Sequence, residues 1–373
     1  MDFTQLFTEI SKGFTAFTWG NAVMILVGLI LIALAVIKEY EPVLLLPIGF
    51  GCVLANLGMS AEHGVFKVFY DAGISTELFP LLIFIGVGAM IDFRPLLALP
   101  QMALLGAAGQ FGIYGTLLLA ILLGFPMNQA ASIGVIGAID GPTAIFVTSK
   151  LAPEILAPVT VAAYSYMSLI PVIQIPVMKL LTTRKERLIR MEYAPRPVSD
   201  KVVIAFPIVV TIIISLLAPD AAPLIATLML GNLLRESGVV DRLSKAAQNE
   251  IINVVTLFLG LTIGSTMTAS SFLNAKTLMI LGLGFLAFVL DTVAGLLFGK
   301  FMSFVTRGKV NPLIGACGIS AFPMAGRLAA QVARDEDYNN FILMHAMGSN
   351  TAGQLGSVIA GGLLLALTLG VVG

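Results

Sequence analysis

Gly137-Ala138-Ile139-Asp140-Gly141-Pro142-Thr143 sets a carboxylate and two helix-breaking residues inside a chain made mostly of membrane-spanning hydrocarbon. An ionised Asp at mid-bilayer costs roughly 2.5–3.5 kcal/mol on insertion scales, so such residues face a polar interior site. The Gly141-Pro142 pair interrupts the helix, and carbonyls freed at a break are natural ligands for a small cation. Two readings of Asp140 compete. In one it is a cation ligand that loads and unloads, with the hydroxyls of Thr143 and Thr148 and the Gly-Pro carbonyls as supporting oxygens. In the other it is a loop carboxylate at the membrane surface, capping a helix at Thr143. The flanks ASIGVIGAI (131–139) and TAIFVTS (143–149) are too apolar for a wet loop and favour the first.

The composition agrees with a membrane setting. Hydrophobic residues make up 58% of the 373 and charged residues 11%, and the mean hydropathy is +0.98, outside the balance of a soluble domain. Glycine (37) and proline (18) are abundant, as polytopic bundles with close helix contacts and broken helices require. A formal net charge of zero argues against a nucleic-acid partner. Cys52 and Cys317 lie in apolar surroundings without metal-binding spacing and read as small core residues. No cleavable signal peptide is apparent; Phe3, Leu6, Phe7, Ile10, Phe14 and Phe17 instead recur at helical spacing over residues 1–18, the pattern of an interfacial amphipathic helix ending at the aromatic anchor Trp19.

Apolar stretches fall at about 21–37, 43–57, 78–91, 96–124, 129–149, 155–181, 201–217, 221–234, 251–268, 274–305, 311–332 and 340–372. The stretches 129–149 and 311–332, rich in Gly, Pro, Ser and Thr, read as broken or re-entrant elements. Between 182 and 201 lie Arg184, Lys185, Arg187, Arg190, Arg196 and Lys201, the densest basic cluster, which the positive-inside rule assigns to the cytoplasm. The chain therefore divides into an amphipathic segment (1–20), a first membrane repeat (21–181), a basic cytoplasmic linker (182–200) and a second membrane repeat (201–373). Shifted by 176 residues, Pro47 meets Pro223, Asn56-Leu57 meets Asn232-Leu233 and Gly88 meets Gly264. Shifted by 181, Gly134 meets Gly315, Gly137 meets Gly318, Pro142 meets Pro323 and Ala144 meets Ala325, and Asp140 falls one residue from Ser320. If 129–149 re-enters rather than crosses, five crossings separate Asn56 from Asn232, and an odd number inverts the second half.

Other residues carry possible chemistry. Tyr164, Ser165, Tyr166 and Ser168 make a polar face in mid-span that either touches an ion or a proton or serves packing, and Pro171 and Pro176 mark a kink beyond it. In the second broken stretch Asn311 can cap, Ser320 can offer an oxygen, and Arg327 either holds a carboxylate or snorkels near Arg334 and Asp335. The patch Gly348-Ser349-Asn350-Thr351-Ala352-Gly353-Gln354 lines a cavity or glues helices, with gluing favoured. Asp291 lies in an apolar span without a break beside it, and Asp92-Phe93-Arg94-Pro95 reads as an interfacial turn. His63 and His345 are isolated, and there is no Walker motif.

The blocks IGAIDGPTAIFVTSKLAP, VAAYSYMSLIPVIQIPVMKLLTT and NPLIGACGISAFPMAGRLAAQ, in this order, resemble the membrane-embedded β subunit of the biotin-dependent, sodium-translocating decarboxylases. The similarity runs over nearly the whole chain from about residue 20. It implies an all-α polytopic protein of two inverted repeats with paired broken segments, similar to elevator-type transporters, in the cytoplasmic (inner) membrane of a prokaryote. It also implies that Asp140 is a sodium ligand, with Ser320, Asn311 and Gly315 joining the Thr143 hydroxyl at the metal position, and that Tyr166 handles an ion or proton. Arg327, with Asn311, is placed by the resemblance to engage carboxybiotin. The implied activity is decarboxylation of carboxybiotin with consumption of a proton, coupled to Na+ export. The biotin rides on a partner. The implied partners are a biotin carrier, a carboxyltransferase α subunit, a small membrane γ/δ-type subunit and two further copies in a homotrimer. Moving two charges against ~150 mV costs about 7 kcal/mol, so an exergonic reaction must drive them. The competing reading is a stand-alone secondary sodium/carboxylate transporter without covalent chemistry.

Overall fold

A computed structural model describes residues 17–39, 42–192 and 197–372. The amphipathic helix expected over residues 1–18 falls almost wholly outside them, as does Arg196. All regular secondary structure among the described residues is helical, with no strand. Among the described residues six helices are long and apolar enough to cross a membrane: Trp19–Ile37, Met102–Leu122, Asp200–Leu217, Asp241–Ser265, Ala275–Val305 and Leu343–Val371. The pairs Gly64–Ser75 with Leu78–Met90 and Pro153–Met167 with Ile170–Leu181 bend by 58° and 63°, and raise the number to eight if each counts as one span. The second bend falls between Met167 and Ile170, just before the expected kink at Pro171.

Helix starts follow local chemistry. Thr18 caps Trp19–Ile37 through a reciprocal arrangement with Asn21, satisfying two amides that the first turn leaves without partners. Among the described residues two π-helical turns occur: Tyr70–Ser75 closes the helix begun at Gly64, and Ala247–Ile251 lies within Asp241–Ser265.

The chain packs into two compact units, each drawing on both sides of the basic linker. One comprises Met1–Phe79 and Asn253–Met279, the other Pro80–Ile252 and Ile280–Gly373. In the first, Trp19–Ile37 packs along Pro42–Ala55, with Gly28 and Gly49 at the crossing. There Asn56 donates through Nδ2 to the carbonyls of Met267 (2.8 Å) and Cys52 (2.9 Å). In the second unit, Asp200–Leu217 and Ala222–Glu236 form a hairpin joined by a short 3₁₀ turn. Asn232 on this hairpin donates to the carbonyl of Ile91 at 2.9 Å. The Asp92–Pro95 turn is tied down by ion pairs from Arg94 to Glu236 (2.7 Å) and from Arg235 to Asp92 (3.7 Å). Cys52 and Cys317 are both buried and free.

Both stretches expected to be broken are broken, and both belong to the second unit. The first runs as helix Met127–Gly134, 3₁₀ turn Val135–Ala138, a left-handed Ile139 (φ +53°), an extended Asp140 and helix Gly141–Leu151. The second runs as 3₁₀ helix Pro312–Cys317 capped by Asn311, an irregular stretch with a cis Phe322–Pro323 bond, and helix Met324–Glu336. Residues 130–148 and 310–321 are buried without interruption. Irregular backbone at membrane depth is tolerated only where protein encloses it, which is the condition met here.

Candidate functional site

Asp140 occupies the N-cap position of helix Gly141–Leu151, with Pro142 in the first turn, where a negative charge meets the positive end of the helix. Ile139 before it is β-branched and left-handed, a costly backbone state that holds the carboxylate out of the helix path. Asp140 is 5% exposed, and one of its carboxylate oxygens, Oδ2, takes three donors. These are Thr143 Oγ1 at 2.8 Å, Gln354 Nε2 at 3.0 Å and Ser357 Oγ at 3.2 Å. Oδ1 takes none of these donors. Ser320, from the second interrupted segment, turns its hydroxyl toward the same carboxylate and makes no regular hydrogen bond. The two interrupted segments therefore meet at Asp140.

The backbone beside Ser320 is held by side-chain amides. Gln174 donates to the carbonyl of Ala316 (2.6 Å), Gln110 to that of Gly318 (3.2 Å) and Asn350 to that of Ile319 (2.7 Å). Each of these amides keeps a buried oxygen with no hydrogen-bond partner among the described residues, as do Ser320, Thr148 and Ser349. A buried unpartnered polar atom costs about 1–3 kcal/mol, so a gathering of them around one stretch of backbone needs compensation. Hydroxyl and amide oxygens beside a carboxylate are groups that can ligate a hard cation. Among the described residues no group of three or more His, Cys, Asp or Glu could hold a metal ion.

The remaining sequence candidates fall in different places. Tyr166 donates its hydroxyl to the carbonyl of Leu281 at 2.6 Å, with its ring edge-on to Phe285. It is Tyr164 whose ring lies against the Asp140 turn, where any Cβ on Gly141 would stand 2.0 Å from its Cζ. Gly315 faces the long helix Ala275–Val305, and a Cβ there would meet the Gly295 carbonyl at 2.0 Å. Asn311 caps its own segment and donates to the carbonyls of Arg187 and Ile189, with no bond to Asp140. Arg327 is exposed on the polar face of Met324–Glu336 beside Gln331, Arg334 and Asp335, with no ion pair to a described residue. Asp291 is buried and accepts from Gly112 N at 2.9 Å, capping the first turn of Phe111–Leu122.

Gln354 belongs to the patch read chiefly as helix glue, and the structure sets it against Asp140. Ser357, Gln110 and Gln174 are not among the sequence candidates. A signal for the first exists, because Asn350, Gln354 and Ser357 recur at i, i+4 and i+7 on one helix face. The two glutamines are lone polar residues within apolar stretches, which the sequence does not distinguish from packing.

Fold and site define a class: a polytopic helical membrane protein with a buried, oxygen-lined carboxylate where two interrupted segments meet. The chain matches, over residues 20–368, the family described as the Na+-transporting oxaloacetate decarboxylase beta subunit. It is 56% identical to the methylmalonyl-CoA decarboxylase subunit beta of Veillonella parvula and 54% identical to the glutaconyl-CoA decarboxylase subunit beta of Acidaminococcus fermentans. These alignments cover 95% of both chains in the first case and 96% of both in the second. Identity to the oxaloacetate decarboxylase beta chain of Klebsiella pneumoniae is 45%, over 94% of this chain and 95% of the other. The chain belongs to this family, as a membrane subunit of the sodium-pumping decarboxylases and not as a stand-alone transporter.

Proposed function

We propose that this subunit decarboxylates carboxybiotin presented by a carrier protein, takes up a proton in doing so, and moves Na+ outward through the site at Asp140. The observation that carries the reading is the buried Asp140 carboxylate itself, with three side-chain donors on its Oδ2 and the Ser320 hydroxyl of the opposite segment turned toward it. The relatives are named for three different acids, yet their β subunits are 45–56% identical to this chain. A step shared by all three fits a subunit that meets the carboxyl group only after its transfer to biotin. On this reading the acid is chosen by a carboxyltransferase α subunit, and the complex also holds a biotin carrier and a small γ/δ-type subunit, with this chain as a homotrimer.

The residues fit their tasks. Arg327 offers a guanidinium with no ion pair to a described residue on an exposed polar face, seven residues along the chain from Ser320, and binds a carboxylate through paired N–H groups. Carrier-borne carboxybiotin supplies the C–N bond that breaks, releasing CO2, while one proton is taken up on the biotin nitrogen. Asp140 binds Na+ when ionised and releases it when it takes a proton, so that one carboxylate links the two events. Thr143, Gln354 and Ser357 hold its Oδ2 in place through either state.

The halves 21–181 and 201–373 are proposed as inverted repeats. Support comes from the two π-turns, which lie 176–177 residues apart, and from the two interrupted segments at corresponding positions. The site lies wholly in one of the two compact units, as an elevator mechanism requires, since the ion travels with its unit. The linker 182–200 then lies in the cytoplasm of a prokaryotic cell.

The test is sodium uptake into inverted vesicles carrying the whole complex. Uptake is expected to depend on the acid substrate and to be abolished by avidin. Uptake at full rate by the chain alone, insensitive to avidin and without decarboxylation, would overturn the reading.

A further inference from the structure

The stretch after Leu181 is anchored from three directions. Thr183 and Glu186 cap the one-turn helix Arg184–Arg187 reciprocally, through Thr183 N to Glu186 Oε2 (2.6 Å) and Glu186 N to Thr183 Oγ1 (3.3 Å). Lys300, near the end of Ala275–Val305, pairs with Glu186 at 3.3 Å. Arg187 closes on Glu336 at the end of Met324–Glu336, with Nη2 at 2.7 Å and Nε at 2.8 Å from Oε1, and Arg190 pairs with Asp337 at 2.6 Å.

Two asparagines bind the backbone of this strap, and they choose the same two carbonyls. Asn311 Nδ2 donates to Arg187 O (3.1 Å) and Ile189 O (2.8 Å). Asn340 Nδ2 donates to the same pair at 2.9 and 3.2 Å. Both side chains are fully buried. Asn311 opens the interrupted segment that delivers Ser320 to Asp140. Asn340 lies just before Leu343–Val372, the helix that delivers Asn350, Gln354 and Ser357. One turn of strap backbone thus joins the starts of the two elements that complete the site.

We propose that Asn340 is a positioning residue for the sodium-coupled reaction. With Asn311 and the Arg187–Glu336 pair, it fixes the register between the Ser320 segment and the Gln354 helix. No contact with the ion is involved. An error at the strap shifts both sets of oxygens around Asp140, so it changes how tightly the ion is held before it changes the chemistry of decarboxylation.

This rests on the sodium-coupled reading above, and the assembled complex tests it. Asn340→Ala and Asn311→Ala are each expected to raise the sodium concentration for half-maximal decarboxylation about fivefold or more, with a smaller change in rate at saturating sodium. Because both amides share two acceptors, the double variant should be no worse than the worse single one. A half-activation within twofold of wild type in Asn340→Ala, with only thermal stability lowered, would overturn the proposal, and so would additive effects in the double variant. If Asn340→Ala does not assemble, Arg187→Glu and Glu336→Arg take its place. Each alone should weaken sodium activation and the two together should restore it; no restoration overturns the proposal. A wild-type complex with no sodium activation would instead remove the reading on which it stands.

Discussion

Asn232 donates its side-chain amide to the carbonyl of Ile91 at 2.9 Å, and the residues 176 positions away from each supply a second such pair, Asn56 with Ile91's counterpart Met267 at 2.8 Å. In both cases an asparagine near the end of one helix satisfies a carbonyl left over where another stops. The bonds are reciprocal: an amide of the first half serves a carbonyl of the second half, and the converse. Asn232→Ala and Asn56→Ala each leave such a carbonyl unsatisfied in a buried setting, at a cost of about 1–3 kcal/mol. Thermal unfolding of the detergent-solubilised subunit should fall in both variants. Unchanged midpoints in both would remove the pair as a structural element.

Asp140→Asn removes the charge and keeps the shape. An amide oxygen still accepts from Thr143, Gln354 or Ser357, so insertion and folding should survive. Sodium-activated decarboxylation should fall by about a hundredfold or more, because the group proposed to exchange Na+ for a proton is lost. Near-normal sodium activation in this variant would exclude Asp140 as an essential ligand.

Gln354→Ala withdraws one donor from Asp140 Oδ2 and opens a void in a buried site. The sodium concentration for half-activation should shift several-fold, with Ser357→Ala changing it in the same direction. A shift confined to thermal stability would mean that helix glue, the role the sequence favours for this patch, describes it better.

The interrupted segments are legible in the sequence because a lone Asp beside Gly and Pro in hydrocarbon is tolerated only at an enclosed polar site. The pairing of Asp140 with the Ser320 segment is legible too, through the 181-residue shift. What escapes is the outer support. Gln110 and Gln174 act through carbonyls more than a hundred residues away in sequence, and one chain carries no record of which carbonyls those are. The tyrosines show the same limit. Tyr164 and Tyr166 are two residues apart on one helix, about 200° apart around its axis, and only packing decides which faces the Asp140 turn. The basic stretch after Leu181 reads as a linker from its charge, since the partners that dock it, Glu336, Asp337 and Asn340, lie some 150 residues later.

Arg187 holds the Glu336 carboxyl below its ordinary range, chiefly through a direct hydrogen bond, with Arg184 adding to the effect. A carboxyl depressed in the folded state stabilises the fold above its ordinary pKa and loses that contribution as pH falls through the depressed value. The strap should therefore stay docked from neutral pH down to the ordinary glutamate range and loosen only below it. Hydrogen exchange of residues 183–190, corrected for its intrinsic pH dependence, should be constant between pH 7 and 5. Faster corrected exchange already at pH 5 would show that Glu336 does not govern the docking.

Substitution of Arg327 tests the proposed carboxylate recognition apart from ion binding. It lies outside the Asp140 cluster, exposed, on the helix that continues the Ser320 segment, so its loss removes a cation for an arriving anion and leaves the oxygens around Asp140 in place. Arg327→Ala should raise the concentration of carboxylated carrier needed for half-maximal rate and change sodium half-activation little. Arg327→Lys discriminates further. A lysine keeps the charge but not the paired N–H geometry, so partial recovery would point to simple attraction and no recovery to two-pronged binding of the carboxylate. If both variants bind the carrier normally and lose sodium affinity instead, Arg327 acts on the ion site through its helix, and carboxylate recognition must be sought on another surface.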